Sequence, residues 1–178
     1  ITFLAKQNSD KQDAFLLQLQ NIVSKAPNQD EALLAFSTII DSLKPLTKNP
    51  NLLFLYALGQ EKSGNYKTME SVLRGLLRNK PDDASVLNAL GYSFADRNIR
   101  LDEALQLIEK AHQISPDDAY ILDSVGWIHF RLGRFDLAIE YLEKSFNKLP
   151  EAEVGAHLGE VFWVTGKQEE AKAIWKKA

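Results

Sequence analysis

The 178-residue sequence contains no cysteine, one methionine and only three histidines. Without Cys there is no disulfide framework, thiolate zinc site, iron–sulfur cluster or thiol nucleophile, and few soft metal ligands remain. The compartment stays open, since cytosolic and exported proteins alike can lack the residue. A strong excess of either charge is missing too: 21 Lys plus Arg stand against 24 Asp plus Glu, a net charge of −3. That balance gives no electrostatic reason to approach nucleic acid or anionic lipid. No apolar run approaches the roughly 20 residues of a membrane-spanning helix, so direct membrane insertion by this segment is not expected. Strand-like alternation is absent. So are the signatures G-x-S-x-G, H-E-x-x-H, G-x-x-x-x-G-K-S/T and G-x-G-x-x-G, which removes the starting points for hydrolase, zincin, phosphate-loop and dinucleotide chemistry. The expectation is a non-enzyme with no cofactor and no metal.

The six Pro and nine Gly are few but regularly placed. Pro50, Pro81, Pro116 and Pro150 are separated by 31, 35 and 34 residues, Gly64 and Gly133 fall midway between such marks, and Gly166 lies a similar distance beyond Pro150. Leu87-x2-Leu90-Gly91-x2-Phe94 recurs as Leu122-x2-Val125-Gly126-x2-His129 and as Gly155-x2-Leu158-Gly159-x2-Phe162. Ala104, Ala138 or Ala171 follows, with Ile108, Leu142 or Trp175 four residues on. A weaker copy runs through Leu53, Tyr56, Ala57, Gln60, Met69, Leu73 and Leu76, and the most degenerate through Leu16, Leu19, Val23, Ala32, Phe36 and Ile39. A fixed period with apolar residues at helical spacing predicts stacked pairs of amphipathic helices. Gly91, Gly126 and Gly159 lie mid-helix, where close approach of the paired helix would offset a helix-propensity cost of about 1 kcal/mol each. Asp82-Asp83 and Asp117-Asp118 are placed to cap the helices that follow.

The pattern resembles the tetratricopeptide repeat (TPR) family, closely over residues 50–178 and loosely over 13–46. The resemblance implies an all-α, right-handed superhelical solenoid of antiparallel helix pairs with about four to five repeats. The divisions are a degenerate helical repeat over 1–49, repeats at 50–83, 84–118 and 119–151, and a last one at 152–178, read as truncated before a capping helix. The repeat at 84–118 carries one extra residue in its turn, Asp96 to Leu101. Beginning with Ile1 and ending on an apparently unfinished helix, the chain reads as a piece of something longer.

In such arrays the first helices line a groove that grips a peptide or partner helix. The residues on that face are Asn88, Tyr92 and Asp96, then Tyr120, Asp123, Trp127, Phe130 and Arg131, then Glu153, His157, Glu160 and Trp163. Aromatic platforms among carboxylates favour apolar segments carrying Lys or Arg. Packing of neighbouring first helices would also account for Trp127, Phe130 or Trp163, so Asp123 and Glu160 are the sharper markers of a groove. His129 replaces a motif aromatic at an inward-facing site and is expected to be a core histidine. Residues 84–178 hold 11 basic and 15 acidic side chains against 10 and 9 in residues 1–83, so the proposed groove lies in the acidic half.

The expected function is a non-catalytic scaffold or adaptor for a protein or peptide. Homo-oligomerisation through the uncovered last repeat, around Ile174 and Trp175, is the alternative. Leu87 to Tyr92, Asp123 to Trp127 and His157 to Trp163 look like repeats of bacterial TPR proteins, including outer-membrane lipoproteins, some of which present substrates to a periplasmic protease. That resemblance favours the periplasm or outer membrane, with a cytoplasmic assembly scaffold as the other expectation.

Overall fold

The computed structural model describes Gln18, Ile22, residues 25–42 and residues 49–178. Leu16, Leu19 and Val23 of the most degenerate copy lie outside these residues. The described residues form nine helices and no strand: α1 (Gln29–Ser42), α2 (Pro50–Lys62), α3 (Tyr66–Asn79), α4 (Ala84–Asp96), α5 (Leu101–Ile114), α6 (Ala119–Arg131), α7 (Phe135–Lys148), α8 (Ala152–Val164) and α9 (Gln168–Lys177). The chain divides into two compact units, residues 1–81 and 82–178.

In the first unit, α2 packs against both α1 and α3. Phe36, Leu52 and Tyr56 make its buried cluster, flanked by Leu33, Ile39 and Val72. Pro50 begins α2 at a position where its missing N–H costs nothing, and the Asn49 side chain accepts from the N–H groups of Asn51 and Leu52. Pro81, Pro116 and Pro150 instead stand before α4, α6 and α8.

The second unit is three antiparallel hairpins, α4/α5, α6/α7 and α8/α9. The Asp83 and Asp118 side chains accept from Val86 N–H and Ile121 N–H, capping α4 and α6 as their positions predict. Gly133 shows how each hairpin turns: at φ +73° its N–H donates to Phe130 O, and the next N–H, of Arg134, donates to His129 O. This left-handed closure suits Gly because it lacks a Cβ. The α4/α5 turn places Asn98 in the same role, with Ile99 N–H donating to Phe94 O. The extra residue falls after that closure, and Arg100, at φ +47°, takes a second left-handed step before α5 begins. Its guanidinium lies 3.9 Å from the Phe94 ring centroid.

Mid-helix glycines make the close approaches expected of them. A Cβ at Gly126 would lie 2.5 Å from Leu142 Cγ and 3.0 Å from Ala138 O, on the facing helix of its hairpin. Gly126→Ala therefore overpacks a backbone contact, which costs about 1–3 kcal/mol and outweighs the roughly 1 kcal/mol that Ala gains in helix propensity. Gly75→Ala, whose Cβ would meet only Arg78 Nη2 at 3.6 Å, is expected to stabilise instead. Urea unfolding of both variants checks this opposition of sign.

Candidate functional site

The first helices α4, α6 and α8 lie in sequence across the second unit, α6 packing against both of the others. Ile121, Leu122, Val125 and Ile128 of α6 are buried along with Gly126. Their spacing turns Asp123, Trp127 and Phe130 toward the neighbouring first helices.

The seam between α6 and α8 is built on a buried Asp–His pair. His157 Nδ1 lies 2.9 Å from Asp123 Oδ2 and 3.0 Å from Oδ1, with the two residues only 8% and 6% exposed. The Trp127 ring, 4% exposed, stacks on the imidazole with centroids 4.1 Å apart and planes at 21°. Phe130 also packs against that indole, at 5.0 Å. Burial pushes the imidazole's pKa down, but the hydrogen bond and charge of Asp123, aided by Glu153 and Asp96, outweigh it and hold His157 above its ordinary value. Burial raises Asp123, and His157 pulls it back only partly. When His157 carries its proton, aspartate and imidazolium compensate each other.

From α4, Tyr92 completes the cluster. Its hydroxyl donates to Glu153 Oε1 at 2.8 Å and stands 3.4 Å from His157 Nε2. Burial, then the charge and hydrogen bond of Glu153, push the phenol far above its ordinary range, so it remains a donor. Arg131 seals the α4/α6 seam: Nε donates to Ala95 O at 3.0 Å and Nη2 to Asp96 O at 2.5 Å. A cation on carbonyls at the end of α4 is favourable with respect to the helix dipole.

The structure therefore sorts the sequence-derived face into two layers. Asp123, Trp127 and His157 form its buried floor, and Phe130 and Arg131 are half-buried beside them. Asp96, Glu153 and Glu160 are exposed, as are Tyr120 at 57% and Trp163 at 44%, while Asn88 and Tyr92 lie between the layers. Asp123 and Trp127, expected to touch a partner, instead hold α6 to α8. Trp127 Nε1 and Asn88 Oδ1 are buried without a hydrogen-bond partner in the protein, leaving one donor and one acceptor unused on this face. Sequence reasoning missed Glu151, whose Oε2 accepts from Tyr120 OH at 3.4 Å. The signal was a Glu where α4 and α6 have capping Asp residues; its side chain makes no cap, which frees the carboxylate for the rim.

His129 is buried as expected, stacked on Tyr141 at 6.1 Å with His112 edge-on to the same ring at 5.6 Å. Burial, then Arg134, lowers its pKa and keeps it neutral. Among the described residues, no three His, Asp or Glu residues come together as metal ligands, and no helix is long and apolar enough to cross a membrane.

Antiparallel helix pairs in a regular array, with their first helices sharing one face, define a helical-repeat protein. Residues 119–147 match the family described as tetratricopeptide repeat, and the described helix pairs have that family's fold. A TPR repeat-containing protein of Pseudomonas aeruginosa is 42% identical over 158 residues, which is 88% of this chain. The chain spans only 27% of that relative's length. A thermophilic TPR protein of Thermus thermophilus superposes with a TM-score of 0.74 at 20% identity, covering 96% of this chain and 90% of the other. MamA, residues 41 to the end, from Desulfovibrio magneticus RS-1 gives 0.62 at 18% identity over 91% and 92%. At such identities these two structures support the fold alone.

Proposed function

We propose that the chain is a non-catalytic protein-interaction module whose second unit receives a peptide or partner helix across α4, α6 and α8, and that the occupant is apolar with Lys or Arg side chains. The observation that carries this is the exposed layer: Asp96, Glu151, Glu153 and Glu160 alongside Tyr120 and Trp163, supported from below by the buried Asp123–His157 pair. Rim carboxylates select by charge, and the aromatic rings offer contact area at small entropic cost. An acidic tail would be repelled. The resemblance to bacterial TPR lipoproteins favours an adaptor of the cell envelope that brings a client to a protease or assembly complex.

Tyr120→Ala combined with Glu160→Lys alters only exposed side chains. Affinity capture from source cells is expected to fall about tenfold or more with this variant, as for the loss of a modest hot spot. Capture equal to that of the wild type would refute the assignment.

A second reading, self-association, is favoured by the last hairpin. Trp175 is 44% exposed, although its counterparts Leu142 and Ile108 are fully buried, and its ring packs against that of exposed Trp163 at 5.7 Å. Sedimentation showing a monomer at all concentrations would remove this reading.

A further inference from the structure

Helices α4 and α8 do not pack against each other, since α6 stands between them. Tyr92 nevertheless reaches from α4 to two side chains of α8, 61 and 65 residues further along the chain. We propose that Tyr92, Asp123, Glu153 and His157 form a proton-controlled latch that fixes the spacing of α4 and α8, and with it the opening of the face between them.

The geometry suits a protonated His157. An imidazolium has two N–H donors. Nδ1–H donates to Asp123 and Nε2–H points to the Tyr92 oxygen at 3.4 Å, while the Tyr92 O–H donates onward to Glu153 Oε1 at 2.8 Å. Every donor then has its own acceptor, and the chain of bonds runs from α6 through α8 to α4 and back to α8.

Removing one proton breaks this order. The neutral ring keeps Nδ1–H on Asp123, whose buried carboxylate has no other neutralising partner in the seam. Nε2 becomes an acceptor, so it competes with Glu153 for the single Tyr92 hydrogen. The cation that countered Asp123 and Glu153 is also gone. The other charged group acting on His157 is Asp96 on α4. Arg131 on α6 stands 5.2 Å from the Trp127 ring centroid and is held by the carbonyls of α4. Helices α7 and α9, which also pack against α8, contribute no charge to His157. The latch is closed when His157 is charged and loosens as pH rises through its folded pKa. It operates with or without a partner on the face.

Because the chain has no native cysteine, spin labels can be placed uniquely at Ser85→Cys on α4 and Ala152→Cys on α8, exposed positions near the helix starts that are not themselves latch residues. Pulsed electron-resonance distances between them are expected to lengthen and broaden from about pH 6 to about pH 9, bracketing the ordinary His value near 6.5. In Tyr92→Phe, which preserves ring packing, the longer distribution should be present at both pH values. NMR titration should place the His157 pKa above the ordinary value, falling in Asp123→Asn. A pH-invariant distance shared by wild type and Tyr92→Phe overturns the latch. So does an equal pH response in both, since the phenol then plays no part.

Discussion

Trp127→Ala is expected to lower the unfolding free energy by about 3–5 kcal/mol, the range for truncating a buried aromatic residue. The ring packs against His157 at 4.1 Å and Phe130 at 5.0 Å, with the Arg131 guanidinium 5.2 Å from its centroid. Deletion opens a cavity between α6 and α8 that backbone relaxation only partly fills. Trp127→Phe should cost less, because it keeps one aromatic ring in the seam and leaves a smaller cavity, and the lost Nε1–H has no partner in the protein. Circular dichroism during urea unfolding measures both without relying on indole fluorescence. A cost below about 1 kcal/mol for the Ala variant would mean that the ring is a surface feature after all.

His157→Ala is expected to have a comparable effect near neutral pH, about 3–5 kcal/mol, because it leaves Asp123 charged, buried and unpaired. The pH dependence distinguishes this from simple loss of packing. The folded-state pKa of His157 is raised, so its contribution is fully present below the unfolded value of about 6.5 and is lost as pH rises through the folded pKa. In the variant, the raised pKa of Asp123 lets the carboxyl take up a proton in acid and removes the uncompensated charge. The difference between wild type and variant therefore peaks between the two titrations and shrinks on either side. A difference that does not change with pH would reduce the pair to packing. Trp127 and His157 touch, so the double variant should cost less than the two single costs added together.

The repeat was legible because turns and close approaches demand particular residues. Gly133 is read from the need for a positive φ, Gly126 from the approach of Leu142, and Asp83 and Asp118 from the unpaired N–H groups that begin a helix. These are local requirements, and each leaves its mark within one hairpin. The division of the groove face into floor and rim was not legible. Helical spacing shows that Asp123, Trp127, Glu160 and Trp163 belong to the first-helix face, but their burial depends on what the next repeat brings. His157 falls one residue out of register with Asp123 when the Gly126 and Gly159 motifs are aligned, so the offset across the seam makes them partners. Glu160, in the register of Trp127, has no following first helix beside it among the described residues and stays exposed. The charge at Asp123, which suggested a groove, is answered by a histidine 34 residues away.

If the second unit is a docking face, its exposed carboxylates and rings above this floor select a cationic, apolar segment. Selection from a random displayed-peptide library on the immobilised chain tests it most directly, with the Tyr120→Ala/Glu160→Lys variant as counter-screen. Peptides that combine Lys or Arg with apolar residues are expected to be enriched, and to be lost on the variant. Enrichment of acidic peptides, or recovery of the same peptides on both proteins, would contradict it.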